Sequence, residues 1–337
     1  MSTGNARDNP AKITLCRRLL RLPSRGAFGY KGPLNREPRA LPRLFHAYVI
    51  VRWSAASKAS AGADSVRIGV IKRDVRFRNA FEAHAAPTRA EGEKRLAALL
   101  EDLKKRNEKV LLGFDFPLGF PRGLAAGLKL TGDPWQAVWN QLDRMVKDKA
   151  DNTNNRFGVG AEINRRLTGG PFPFWGVPPR DALTTIQPKR TRDHGPGDLP
   201  ELRLTDERVK GAPSVWKLYY NGSIGGQAIL GIPMARRLKQ TYGEALRVWP
   251  FETGWKALDP ADLAGVQVLA AEVCTGLVES KLGPGETKEQ AELRATAEHL
   301  ARLDEAGRLG PLFGPPKGLA EDKAELARQE EGWILGA

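Results

Sequence analysis

Apolar runs and alternating segments in the first third of the chain predict a sheet built around one buried strand. Two β-rich runs, Ala47–Ser54 and Ser65–Asp74, are joined by a small-residue loop, which is typical of adjacent antiparallel strands. We expect a third, short strand near Phe77–Phe81. The stretch Lys109–Phe120 opens with a wholly apolar run, which predicts a central strand that ends at Asp115.

Three places in the sequence predict the start of a helix. A capping box at Thr88–Glu91 precedes leucines at helical spacing, and this helix should end near Asn107 and cross over to the strand of Asp115. Asp133 and Pro134 predict a second helix start. A further capping box, Thr287–Gln290, opens a helix that carries Glu289 on its packing face.

Two more runs complete the predicted sheet. Ala245–Thr253 is a short strand-like segment, and Val266–Cys274 predicts a buried strand with Glu272 near its end. The resulting expectation is an α/β fold with a mixed sheet of about five strands and flanking helices. Residues 45–337 form a single domain in this interpretation, with a large, mostly helical or irregular insertion at about 120–264.

The insertion contains two polar segments that are candidates for binding an anionic substrate. Asn155 and Arg156 lie in an amide-rich segment that is expensive to bury and useful around a polar ligand, although ordinary asparagine-rich loops look the same. Lys189 and Arg190 lie in the proline-rich segment 171–213, where a solvated charge run is the plainer interpretation.

Three glycines invite comparison with a phosphate-binding loop. Gly222, Gly225 and Gly226 do not have the spacing of a dinucleotide-binding motif, and no Lys-Ser/Thr pair follows them. Tight helix packing or a backbone turn is the favoured interpretation.

The composition is that of a globular protein with a hydrophobic core, and its charge is unevenly distributed along the chain. Of the 337 residues 41% are hydrophobic, and no apolar run reaches the roughly 20 residues that a membrane span needs. The net charge is +14, of which residues 1–46 carry +8. We therefore expect a disordered basic leader at 1–44, with a transit peptide, a flexible tail or an upstream start codon as alternatives.

This distribution of charge weakens the case for nucleic-acid binding by the chain after residue 46, without excluding it. Two cysteines and four scattered histidines offer neither a disulfide framework nor a zinc site, which favours a reducing compartment. We expect a cytoplasmic protein, or one of an organellar matrix if the leader is a transit peptide.

Carboxylates are left as the candidate metal ligands. Asp115 and Glu272 each end a buried strand, and Glu289 opens a helix. Three such groups brought together repel one another unless a cation binds between them, and Mg²⁺ or Mn²⁺ prefers oxygen ligands. Paired ions of this kind drive phosphodiester hydrolysis. Asp115 could instead cap the turn that follows it.

A set of short motifs extends from about Phe45 to the C-terminus. They are WSAAS, GADS, GFDFPLG, NNRF, SVWKL, GSIGGQA, GIP, WPFET, AEV, RATA and EGWILG. In this order they resemble the DUF429 group of predicted ribonuclease H-like nucleases, some relatives of which carry cobalamin- or molybdopterin-biosynthesis labels. The resemblance implies a ribonuclease H-like fold, and it implies metal and catalytic roles for Asp115, Glu272 and Glu289.

The chain departs from that family pattern near the implied metals. Arg52 stands where the first strand of the family has its central Asp, and Glu289 stands where an Asp is usual. A guanidinium competes with a divalent cation for carboxylate oxygens, and Arg52 could pair with Asp115 or Glu272. Asp64 is a possible replacement ligand.

We therefore expect a nuclease or phosphodiesterase ancestry with a degenerate active site. A catalytically silent scaffold that binds nucleic acid or protein is one alternative, and a small-molecule enzyme of cofactor biosynthesis is another.

Overall fold

The computed structural model describes residues 43–73, 76 and 78–337. The predicted leader therefore lies outside the described residues except for its last two positions. Leu44 is buried, and the backbone N–H groups of Leu44 and Phe45 each donate to the Asp304 carboxylate at 2.9 Å. The first described residues are thus fixed to a helix near the other end of the chain.

The sheet has six strands in the order β3-β2-β1-β4-β6-β5. The strands are β1 (Ala47–Arg52), β2 (Val66–Arg73), β3 (Asn79–Ala86), β4 (Val110–Phe114), β5 (Leu246–Val248) and β6 (Val268–Glu272). β1, β2 and β3 pair antiparallel, whereas β1 pairs parallel with β4, β4 with β6, and β6 with β5. The prediction of a mixed α/β sheet is confirmed, and β5, which lies inside the predicted insertion and within the strand-like run Ala245–Thr253, joins the sheet edge.

Helices cover both faces of this sheet. They are α1 (Arg89–Lys105), α2 (Leu124–Gly127), α3 (Pro134–Met145), α4 (Arg156–Thr168), α5 (Leu204–Arg208), α6 (Gly225–Tyr242), α7 (Lys288–Glu305) and α8 (Glu321–Leu326), with a π-helical turn at Ala327–Glu331. The capping box predicted for α7 is confirmed at Thr287 and Gln290, which make both reciprocal bonds. At α1 only the N-cap half is formed: the Thr88 hydroxyl accepts from the Glu91 N–H, whereas the Glu91 carboxylate accepts from Arg95. Within the described ranges, no helix is long and apolar enough to cross a membrane.

Strand pleating divides the core into two layers. Val49, Val51 and Leu112 face one layer, whereas Tyr48 and Ile50 face the other. Helix α7 packs on β1 and β2 on the second side. Helix α6 from the predicted insertion belongs to the first layer, so the segment is part of the domain core.

Two glycines mark places where the packing leaves no room for a side chain. A Cβ on Gly113, in β4, would lie 2.8 Å from Ile50 Cδ1 and 2.9 Å from Val273 Cγ1. A Cβ on Gly119 would meet the backbone carbonyl of Glu331. The core therefore packs directly against β4 at Gly113, and the C-terminal segment packs directly against the turn after β4 at Gly119.

Replacing Gly113 by alanine should destabilise the protein by about 1–3 kcal/mol, because the new methyl group overpacks the core between β1 and β6. Gly158→Ala is the matched control: it lies in the first turn of α4 with no atom within 4 Å of the added Cβ. We expect that change to be neutral or to stabilise by up to about 1 kcal/mol. Denaturant unfolding of both variants measures this difference, and equal free energies of unfolding would show that the core is not packed as described.

Candidate functional site

Two central strands deliver oppositely charged side chains to the same edge of the sheet. Arg52 is the last residue of β1, and Asp115 directly follows β4. By strand alternation both side chains point to the α7 side of the sheet, as Ile50 does. Arg52 Nε lies 3.0 Å from Asp115 Oδ2. Of the two partners expected for Arg52, the structure selects Asp115.

A helical carboxylate and a loop hydroxyl complete the arrangement around this pair. Arg52 Nη2 lies 2.7 Å from Glu292 Oε2 on α7 and also donates to Thr275 Oγ1. Thr275 in turn donates its backbone N–H to Asp115 Oδ1 at 3.1 Å and its hydroxyl to Oδ2 at 3.0 Å. We call these four residues, Arg52, Asp115, Thr275 and Glu292, the Arg52 cluster.

The Arg52 cluster keeps its cation firmly charged. Burial lowers the pKa of Arg52, but the carboxylates of Asp115 and Glu292 outweigh burial and raise the pKa above its ordinary value. The guanidinium thus acts as a permanent positive charge between two acidic groups from different elements.

Glu289 lies three residues before Glu292 on α7, so the two share a helix face. Its Oε2 lies 3.9 Å from Arg67 Nη2. Partial burial acts to raise the pKa of Glu289, but its own backbone N–H, the Thr287 hydroxyl, Arg67 and Arg52 together hold the pKa below its usual value. Glu289 is therefore ionised near Arg52. The direct partner of Arg52 on this helix is Glu292, which was not among the residues predicted from the sequence. Its spacing of three residues from Glu289 is the signal that both lie on the same helix face.

Glu272 lies on the other face of the sheet. It is in register with Phe114, whereas Asp115 is one residue further along, so the two carboxylates project from opposite sides. Glu272 is 2% exposed, and both of its oxygens lie 2.7 Å from Arg203, one from Nη1 and one from Nη2. Its Oε2 also accepts from the backbone N–H of Leu118 at 3.1 Å. The structure thus places Asp115 and Glu289 around Arg52 and places Glu272 elsewhere.

Arg203 joins three parts of the chain at Glu272. It makes a second fork to Asp206, with Nε 2.9 Å from Oδ2 and Nη2 2.8 Å from Oδ1. Its Nη1 also donates to the backbone carbonyl of Glu331 at 3.3 Å. Burial opposes its charge, but Asp206 and Glu272 raise the pKa of Arg203 well above the ordinary value. Because the ion pair is fully buried and doubly hydrogen-bonded, its role is to fix the insertion and the C-terminal segment to β6.

The remaining candidates from the insertion have different environments. Asn155 closes its own loop, accepting from Lys147 N at 2.7 Å and donating to Met145 O at 2.9 Å. Lys189 is exposed, and Arg190 is paired with Glu201 and Asp193, each at 2.7 Å. Arg156 is buried among neutral partners, as described below.

Close packing accounts for two residues of the glycine-rich segment. A Cβ on Gly225 would clash with the carbonyl of Val215, and one on Gly226 would lie 2.9 Å from the carbonyl of Leu218. These contacts agree with the packing interpretation of the two residues.

The residues around Asp115 do not fit a divalent cation in this arrangement. Both oxygens of Asp115 accept hydrogen bonds, and the Arg52 guanidinium lies between the carboxylates that a metal would join. Among the residues that the structure describes, no three His, Cys, Asp or Glu side chains form a metal-binding group. Asp64 is exposed, and its backbone oxygen accepts from the Ser54 hydroxyl.

Comparisons of the chain with protein-family models, curated proteins and solved structures find no match.

Arg203→Met should destabilise the protein by about 3–5 kcal/mol, because it leaves Glu272 and Asp206 buried without their cation. Arg165→Met is the control, since Arg165 forms an exposed pair with Glu162 on α4 and such pairs contribute little. Chemical denaturation of the two variants separates the cases. A loss under 1 kcal/mol for Arg203→Met would mean that the fork does not hold the insertion to the sheet.

Proposed function

We propose that this chain is a ribonuclease H-like protein of metal-dependent nuclease ancestry in which Arg52 supplies the positive charge of the site. In this proposal the chain does not hydrolyse phosphodiesters by a two-metal mechanism and acts as a binding protein on a nuclease-type scaffold. The observation that carries it is the simultaneous contact of Arg52 with Asp115 and Glu292, at 3.0 and 2.7 Å.

The placement of the acidic groups supports the nuclease ancestry. A ribonuclease H-like site is built from the carboxyl ends of separate strands together with a helix. Here the ends of β1 and β4 meet the first turns of α7, which bring Glu289 and Glu292 to Arg52. In the family that the motifs resemble, the position of Arg52 is occupied by the central Asp, which supports this ancestry.

The chemistry of arginine supports the loss of hydrolysis. A bound metal lowers the pKa of water and polarises a phosphoryl oxygen, whereas a guanidinium with a raised pKa can donate hydrogen bonds but cannot generate hydroxide. Its Nε and Nη2 are already used on Asp115, Thr275 and Glu292. The group therefore neutralises the acidic cluster and holds α7 against the strand ends.

Arg52→Asp should create a Mn²⁺ site, because it removes the competing cation and adds a fourth carboxylate to Asp115, Glu289 and Glu292. We expect the variant to be less stable than wild type in EDTA and to gain about 2–3 kcal/mol at a hundredfold excess of Mn²⁺ over its Kd. Wild type should show no such gain. Thermal unfolding with increasing Mn²⁺, together with cleavage assays on single- and double-stranded nucleic acids, provides the measurement.

Arg52→Met separates the loss of the competing cation from the gain of a carboxylate. It removes the guanidinium without adding an oxygen ligand, so it should show little Mn²⁺ response. Adding Asp115→Asn to Arg52→Asp should reduce the Mn²⁺ stabilisation. Metal-dependent cleavage by wild type that disappears in Asp115→Asn would contradict the proposal directly.

A further inference from the structure

Arg156 is a buried cation without an ionic partner. It is the first residue of α4 and is 3% exposed, yet no carboxylate oxygen in the described chain lies within 4.0 Å of its guanidinium nitrogens. Nη1 donates to Ser57 Oγ and to Asn154 Oδ1, both at 2.9 Å. Nε is fully buried and has no hydrogen-bond partner among the described residues. Such a donor is costly to bury unless a ligand accepts from it.

Two helix N-termini meet at this guanidinium. A Cβ on Gly226, in the first turn of α6, would lie 3.4 Å from Arg156 Nε. Helices α4 and α6 have 13 and 18 residues, and neither has an acidic residue in its first turn. Asn154 Oδ1 accepts from the Arg156 N–H at 3.3 Å and the Lys217 carbonyl accepts from the Gly225 N–H at 3.0 Å, so the next N–H groups of the two first turns are the ones that a ligand would use. Helix N-termini carry partial positive charge and free N–H groups, which is the arrangement that binds anions.

The electrostatics around Arg156 are unfavourable without an anion. Burial is the main cause that lowers the pKa of Arg156, to about 10, and the positive charge of Arg89 adds to it, whereas Tyr219 and the carboxylates of Asp181 and Asp148 offset only part of this lowering. Arg89 itself is neutralised by Asp148, with two contacts of 2.6 Å. Arg156 thus differs from Arg52, Arg89 and Arg203, each of which is paired with a carboxylate.

An exposed aromatic surface adjoins the same arginine. The Arg156 guanidinium carbon lies 4.1 Å from the centre of the Phe157 ring, and Tyr219 packs edge-on against Phe157 with ring centres 6.1 Å apart. Tyr219 and Tyr220 are 41% and 44% exposed, and among the described residues only Leu183 and Leu282 are other large hydrophobic side chains that are exposed. Exposed aromatic rings beside a cationic site are the combination that binds the bases of nucleotides.

We propose that Arg156, Ser57 and the first turns of α4 and α6 bind the phosphate group of a nucleotide whose base stacks on Tyr219. A phosphate presents several strong acceptor oxygens, so it can accept from the guanidinium, the hydroxyl and the backbone N–H groups together. The nucleotide is either free or part of a single-stranded nucleic acid. This inference goes beyond the proposed function, because the site is formed by residues outside the Arg52 cluster.

Calorimetric titration of the full chain in EDTA tests the proposal with three probes: inorganic phosphate, adenosine 5′-monophosphate and a 5′-phosphorylated oligodeoxyadenylate. We expect phosphate to compete with the nucleotide. Arg156→Gln should weaken both by about tenfold or more, as expected for loss of a charged hydrogen-bond donor. Arg165→Gln is the control, since its side chain is 61% exposed in the last turn of the same helix. It should bind like wild type.

Tyr219→Ala provides a second variant that does not depend on a buried group. It should weaken the nucleotide about fivefold or more through the lost stacking and leave the affinity for inorganic phosphate unchanged. Tighter binding of the oligonucleotide than of the mononucleotide identifies a nucleic-acid strand as the source, and equal affinities identify a free nucleotide.

The proposal is overturned if wild type binds neither phosphate nor the nucleotide. It is equally overturned if Tyr219→Ala and a folded Arg156→Gln bind all three probes as wild type does. Because EDTA removes divalent metal, these outcomes are independent of the Mn²⁺ response of the Arg52 variants.

Discussion

Two acidic side chains at the ends of adjacent central strands each require a cation, and the chain supplies an arginine to each. Asp115 receives Arg52 on one side of the sheet, and Glu272 receives Arg203 on the other. A carboxylate buried at a strand end without such a partner would cost several kcal/mol. Much of the surrounding structure follows from how these two ion pairs are satisfied.

The two pairs fix different parts of the molecule. Arg203 comes from the insertion and also contacts the C-terminal segment, so the Glu272 pair joins two distant stretches to β6. Arg52 contacts α7 through Glu292, so the Asp115 pair holds the second helical layer to the strand ends. The Glu272 pair is fully buried, whereas the Asp115 pair is partly exposed at the edge of the sheet.

Local patterns in the sequence predict a large part of this architecture. The N-caps of α1 and α7, the buried runs of β4 and β6, and the antiparallel start of the sheet depend on neighbouring residues, so the sequence predicts them. The place of β5 at the sheet edge and of α6 in the core could not be predicted, because both depend on packing against distant strands.

The candidate site could be predicted only in part, because several of its contacts also depend on distant strands. The sequence left Asp115 and Glu272 as two alternative partners for Arg52, and the structure pairs Arg52 with Asp115. The face to which Glu272 points depends on the register between β4 and β6, which neither strand specifies alone. Arg203 lies 69 residues before Glu272, with no local signal for the contact.

A double-mutant cycle between Arg52 and Asp115 tests the central claim most directly, since it measures whether the guanidinium and the carboxylate stabilise each other. The free energies of unfolding of wild type, Arg52→Met, Asp115→Asn and the double variant are measured in EDTA. Our account predicts a favourable coupling energy of about 1–3 kcal/mol, with the double variant less destabilised than the two single changes combined. Additive effects with no coupling would contradict it, because Arg52 would then not be the cation that Asp115 requires.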